Sequence, residues 1–182
     1  MKITKTSLDG VLILEPRIFE DNRGFFFESF NKDKFDAATD GKYSFVQDNQ
    51  SVSKKSVLRG LHFQNPPHAQ GKLVSVSTGA VIDVAVDIRA SSPTYGQHVA
   101  VELTEENRKQ LWIPPGFAHG FVALEENTTF CYKCTDNYAP DCEGSLRWND
   151  PDLKIDWGTS KPIVSDKDKI GEDFRTFASQ FE

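Results

Sequence analysis

Ala80-Val81-Ile82-Asp83-Val84-Ala85-Val86-Asp87-Ile88 is the stretch on which the fold turns. Ile82, Val84, Val86 and Ile88 recur at every second position, and Asp83 and Asp87 stand on the opposite parity. A period of two marks a β-strand, whose successive side chains leave the pleat on opposite faces, whereas one helix face repeats every 3.6 residues. Outward from this stretch the same period recurs. Lys72 to Ser77, His98 to Leu103, Gln110 to Ile113, Gly120 to Leu124 and Thr129 to Thr135 read as strands, with Val11 to Leu14 and Gly24 to Phe30 as short apolar runs. Ser92-Pro93, Pro114-Pro115-Gly116 and Pro140-Asp141 supply turns between them. Helical signal is confined to Asn31 to Thr39, with Asn31 as the cap, and to a capped start at Ser165-Asp166-Lys167-Asp168. Many short strands joined by polar turns predict a mainly β chain, folded as a sandwich or jelly roll with a few short helices.

A chain of 182 residues, 38% hydrophobic and with 14 Phe, is long enough to bury a core, and residues 1–182 read as a single domain without repeats or linkers. The net charge of −6, from 27 acidic and 21 basic side chains, opposes the broad positive footprint of a nucleic-acid binder. It leaves room for a local basic pocket that takes a small phosphate-bearing ligand. No run approaches the ~18 apolar residues needed to cross a bilayer. Met1 to Lys5 leads into neither a long apolar run nor a cleavage signal, so a cytoplasmic location is expected.

The nucleotide-binding glycine motifs and the hydrolase nucleophile elbow are absent. Cys131 and Cys134 form a single Cys-x-x-Cys pair, and a zinc site wants four ligands. On a strand, moreover, that spacing sends the two thiols to opposite faces, so packing is the expectation for them. Polar groups set in apolar strand context carry more information. Lys72 shares a strand face with Val74 and Val76; a lysine there either reaches solvent at the strand end or is paired and used. Arg59-Gly60-Leu61-His62 brings a guanidinium and an imidazole close together across a glycine that permits irregular backbone.

Several blocks then match one pattern in order and spacing. They are Arg23-Gly24-Phe25-Phe26-Phe27-Glu28, Phe45-Val46-Gln47-Asp48-Asn49, Val57-Leu58-Arg59-Gly60-Leu61-His62-Phe63-Gln64, Gln70-Gly71-Lys72-Leu73-Val74, Trp112-Ile113-Pro114-Pro115-Gly116-Phe117-Ala118-His119-Gly120-Phe121 and Trp148-Asn149-Asp150-Pro151. From about Leu12 to Asp168 the chain resembles the dTDP-4-dehydrorhamnose 3,5-epimerase family. The resemblance implies a cupin-type jelly-roll β-sandwich, a homodimer, and a dTDP-4-keto-6-deoxyhexose substrate whose C3 and C5 are inverted on the way to dTDP-L-rhamnose. Both carbons flank the C4 ketone, so each proton is removable once the enolate is stabilised. Inversion needs a base on one face and an acid on the other. By the resemblance, His62 is the base, with an imidazole reference pKa of ~6.5. Asp168 orients it, Tyr132 is the opposite-face acid with a phenol reference pKa of ~10, and Lys72 steadies the developing enolate oxygen.

The same transfer assigns Arg23 and Arg59 to the nucleotide diphosphate and His119 and Lys167 to further ligand contacts. Glu28, Gln47, Asp48, Asn49 and Glu143 match positions at the nucleoside end, and Tyr138 matches an aromatic that stacks on the thymine. Arg23 and Glu28 have opposite strand parity, so either Gly24 breaks the strand or the two serve sites in different subunits, with the Arg23 segment reaching the partner. Metal-binding cupins pair a His-x-His and a following Glu with a later Pro-x-Gly-x-x-His. Here His62-Phe63-Gln64 replaces the second His with Gln, His68 falls out of register, and His62 with His119 alone makes a poor metal site. No catalytic metal and no cofactor are expected. Relatives that act on only one carbon or shift the ketone, and a non-catalytic sugar-nucleotide-binding cupin, remain alternatives at this level.

Overall fold

The computed structural model describes residues 1–182 and turns the period-two runs into strands. In chain order these are β1 (Lys2–Lys5), β2 (Leu12–Glu15), β3 (Ile18–Asp21), β4 (Gly24–Phe27), β5 (Gln47–Ser53), β6 (Val57–Gln64), β7 (Lys72–Thr78), β8 (Ala80–Asp87), β9 (His98–Thr104), β10 (Gln110–Ile113), β11 (Phe117–Ala123), β12 (Thr128–Cys134), β13 (Glu143–Ser145) and β14 (Ile163–Val164). Helix α1 (Lys32–Thr39) follows β4, and the Asn31 side chain accepts from the Lys34 amide at 3.1 Å, the cap expected from the sequence. No helix is long and apolar enough to cross a membrane.

One sheet runs β1-β2-β10-β7-β12-β5 and the other β13-β6-β11-β8-β9, with β14 joining β6 in parallel. Val74, Leu111 and Phe130 from the first sheet interlock with Val81, Ala85, Leu103 and Phe121 from the second, so the sheets face each other across one core. This is the expected mainly β sandwich of jelly-roll type. Full burial of each large side chain in it contributes about 1.5–3 kcal/mol.

Strand β8 sorts its residues as its alternation predicts. Val81 and Ala85 enter the core between the sheets, while Val84, Val86 and Ile88 face the other way. There Leu153, Trp157 and Phe181, from the chain after β13, cover them. Because both faces are covered, Asp83 and Asp87 are fully buried. Asp87 is satisfied by Arg89, Ser92 and Thr94, and these bonds hold its carboxyl at about 2 against the opposing effect of burial. On the outer face of the first sheet, Phe35 of α1 packs edge-on against Trp112.

Two expectations change, and one strand had no signal in the sequence. The run Gly24 to Phe30 stops as a strand at Phe27, and β4 pairs only with β3, as a hairpin that exposes Phe25 by 52% and Phe26 by 69%. The capped start at Ser165 gives one 3-10 turn, Asp168–Ile170, rather than a helix. Strand β5 was not legible as one, because Gln47-Asp48-Asn49-Gln50-Ser51 is too polar to show an apolar alternation.

Strand β6 is irregular at Gly60, whose φ is +138°. A Cβ there would fall 2.5 Å from the Cα of Gly120, so β6 and β11 approach at a distance only glycine permits. The β6–β11 register shifts between His119 and Phe121. Leu58 and Leu61, three residues apart, consequently both face the outer cluster, and Arg59 and His62 both line the space between the sheets.

Candidate active site

The register of four strands assembles the site. His62 on β6 stands directly opposite His119 on β11. On the facing sheet, Lys72 opens β7 opposite Cys134, and Tyr132 on β12 stands opposite Val74. The four side chains, with Arg59, Lys167 and Asp168, line a cavity of about 500 Å³. His62 and Tyr132 therefore occupy opposite walls, one on each sheet.

Asp168 reaches the cavity from the chain beyond β14. Ser165 Oγ accepts the Asp168 amide at 3.1 Å, which satisfies the backbone and leaves the carboxylate free for other use. Asp168 Oδ1 then meets His62 Nε2 at 2.6 Å, with only 5% of its side chain exposed. Burial would raise the Asp168 pKa, but hydrogen bonds from His62, Ser165 and the Gly60 backbone outweigh it and hold the carboxyl below the usual range. With Nε2 engaged, Nδ1 is the imidazole nitrogen left for chemistry.

Burial pushes the Tyr132 hydroxyl up, so it keeps its proton. The Lys72 amine moves down for the same reason, opposed by the negative groups of Asp83 and Glu143. His119 is lowered by burial although its Nε2 meets Asp83 Oδ2 at 2.9 Å. The cavity thus combines one oriented imidazole, one protonated phenol and one buried lysine amine.

A second cavity of about 260 Å³ adjoins the first and shares His62, Lys72 and Tyr132 with it. Gln47, Asn49, Tyr138 and Glu143 also line it. Tyr138 donates its hydroxyl to Glu143 Oε2 at 2.9 Å and its backbone amide to Gln47 Oε1 at 3.0 Å. Lys167 Nζ lies 2.5 Å from the same Glu143 oxygen. Its edge anchored at both ends, the half-exposed Tyr138 ring offers a free face at the cavity mouth.

Three sequence candidates stand elsewhere. Asp48 points from the opposite face of β5 to Gln47 and Asn49 and pairs with Lys133 at 3.0 Å, since neighbours on a strand alternate. Arg23 lies in the turn of the β3–β4 hairpin, its side chain 85% exposed and held by Asp21. Glu28 sits beyond the hairpin, bonded to Asn31 and Lys34. Cys131 and Cys134 point to opposite faces, and Cys134 packs beneath Asn49. Nowhere do three or more His, Cys, Asp or Glu side chains converge as a metal cage.

Two residues of the site were not singled out from the sequence as functional. Gln64 is buried and spends its whole amide on the loops around it. Its Nε2 donates to the carbonyls of His68 at 2.7 Å and Asn137 at 3.2 Å, and its Oε1 accepts from Ala139 at 2.9 Å. Asp83 is the other; its only signal was a carboxylate set in the alternation of β8.

An imidazole held by a carboxylate on one wall and a protonated phenol on the other can exchange protons on opposite faces of a bound ligand, and on a cupin-type sandwich that is the chemistry of an epimerase. The comparisons agree. The family model for dTDP-4-dehydrorhamnose 3,5-epimerase matches residues 5–176. The dTDP-4-dehydrorhamnose 3,5-epimerase of Salmonella typhimurium is 57% identical over 92% of both chains, and that of Pseudomonas aeruginosa is 53% identical over 96% of both. The crystal structure of the dTDP-6-deoxy-D-glucose-3,5-epimerase from Legionella pneumophila, in complex with dTDP-4-keto-L-rhamnose, superposes with a TM-score of 0.93 at 48% identity, covering 97% of this chain and 94% of that one. The chain belongs to the dTDP-4-dehydrorhamnose 3,5-epimerase family.

Proposed function

We propose that this chain inverts C3 and C5 of dTDP-4-keto-6-deoxy-D-glucose to give dTDP-4-keto-L-rhamnose. The observation that carries the reading is the 2.6 Å contact between His62 Nε2 and Asp168, set on the wall opposite Tyr132. His62 Nδ1 removes the proton from a carbon beside the ketone, and the C–H electron pair moves into the carbonyl to form an enolate. Asp168 steadies the resulting imidazolium. Lys72 donates to the enolate oxygen, an interaction worth most in a dry site. The Tyr132 hydroxyl returns a proton to the opposite face, and solvent resets both groups before the second inversion. Proton transfer of this kind calls on no electron carrier.

Arg59 and Lys167 are suited to the diphosphate, Gln47, Asn49 and Glu143 to the nucleoside, and the free Tyr138 face to the thymine. We infer further that residues 1–182 act as one domain, in the cytoplasm, and as a homodimer. The exposed phenylalanines of the β3–β4 hairpin support the dimer, since they have no sheet of their own chain to cover them. In that arrangement the hairpin carries Arg23 and the neighbouring Glu28 to the partner's site. The test is conversion of the 4-keto sugar followed by NMR of the reduced product. Inversion at both carbons supports the reading; inversion at one carbon, or none with dTDP bound tightly, contradicts it.

A further inference from the structure

Asp83 is fully buried between the sheets, and only one of its two oxygens has a partner. Oδ2 lies 2.9 Å from His119 Nε2, and Oδ1 has no hydrogen bond within the protein. A buried carboxylate left half-satisfied weakens a fold, so its place in the core is not explained by stability. What it contacts is a cavity residue. His119 stacks near Phe130, lines the larger cavity, and has no protein partner at Nδ1.

We propose that Asp83 is a positioning residue that locks His119 in the Nε2–H tautomer, so that Nδ1 enters the cavity as a hydrogen-bond acceptor for a ring hydroxyl of the sugar. This rests on the proposed substrate class and adds to it a rule of recognition. A carboxylate can only accept, so the imidazole must donate through Nε2. Burial keeps the ring neutral, and the neutral ring then has no proton at Nδ1. The other polar groups on the same walls sort by what they offer. Lys72, Arg59 and Lys167 only donate, Tyr132 carries a proton to give, and His62 Nδ1 is committed to the C–H bonds. Asp168 is engaged through Oδ1 by His62, and Ser165 Oγ accepts from the Asp168 amide. The unpartnered Ser51 hydroxyl, also on the wall, can do either. A ketone oxygen satisfies donors alone, whereas a sugar hydroxyl must also place its own proton. On the β11 wall, His119 Nδ1 is fixed to receive one. The site should therefore prefer a sugar with a free hydroxyl at this point over one that is deoxy or O-methylated there.

The direct test is long-range ¹H–¹⁵N correlation of the imidazoles in the wild-type protein, which has only four histidines to assign. The proposal predicts a neutral His119 with its proton on Nε2 at pH 7. A proton on Nδ1, in the other tautomer or in an imidazolium, overturns it whatever the activity. The second arm is Asp83→Asn, which keeps the shape and removes the obligate acceptor. Its His119 should populate both tautomers, and its kcat/KM for the 4-keto sugar should fall by about 10- to 100-fold. Its affinity for dTDP alone should stay within about twofold of the wild type, since His119 faces the sugar. An Asp83→Asn enzyme with wild-type turnover and an unchanged His119 contradicts the proposal. If the wild type itself fails to turn the sugar over, the substrate reading fails, and the tautomer result stands apart from it.

Discussion

At the scale of single residues, the chemistry depends on which nitrogen of His62 is free. Asp168 occupies Nε2, which leaves Nδ1 free, and Tyr132 stands on the other wall with its proton secured by burial. Tyr132→Phe removes the acid and leaves the base. That enzyme should still exchange the protons beside the ketone while its inverted product falls by about 10²- to 10⁴-fold, and NMR of labelled substrate separates the two events. In the proposed mechanism Lys72 acts only as a cation. Burial lowers its pKa, so its charge is kept on the acid side of that pKa and the contribution it makes to activity should decline as pH rises through it, at a pH below the ordinary lysine value of 10.5. The pH profile of kcat/KM checks this: Lys72→Met should lose about 10²- to 10³-fold and the alkaline limb with it. The residues that meet in the cavity were largely legible in the sequence. Lys72 on an apolar face and His62 beside Arg59 were visible as anomalies, and the family resemblance named Tyr132 and Asp168. Asp83 was not legible, because an aspartate in strand alternation reads as solvent-facing unless both faces of the strand are known to be covered.

Elements decide how those residues meet. The irregularity at Gly60 lets Arg59 and His62, of opposite parity, share one cavity, and the close passage of β6 over Gly120 aligns His62 with His119. The glycine flagged this break; its consequence did not follow from sequence, since it depends on a strand some 60 residues away. Gln64 works through the loop that carries Tyr138. Gln64→Ala removes three hydrogen bonds to the 68 and 137–139 segments, each worth about 1 kcal/mol. Steady-state kinetics should show KM raised about tenfold or more with kcat within about threefold, because the binding platform loosens while the dyad stays in place. Where a metal-binding cupin has a second histidine, this chain has a structural tie. Strand parity likewise explains why the Gln47-Asp48-Asn49 block divides, with its middle residue turned to the far side of β5.

The whole molecule sets what no single strand could. The period of two announced a β-sandwich, but the sheet orders join strands far apart in sequence, such as β10 between β2 and β7, and only the assembled fold supplies them. The β3–β4 hairpin shows the other limit of pattern reading. Its phenylalanines read only as a short apolar run, and they stand exposed, as expected of a surface whose cover comes from a second copy. Sedimentation should find a dimer for the wild type, and replacing Phe25 and Phe26 together by serine should yield a monomer with sharply raised KM. Arg23→Ala should remain dimeric and raise KM by about 10- to 100-fold, the cost of a charged contact to a diphosphate.

The central claim is that one base, His62 held by Asp168, opens both carbons. Its most direct test is solvent deuterium incorporation into dTDP-4-keto-6-deoxyglucose in heavy water, read by NMR for the wild type and for His62→Ala. The account predicts label at both C3 and C5 with the wild type and none above background at either carbon with His62→Ala. Label persisting at one carbon in the variant would show that a second base serves it, and would contradict the account.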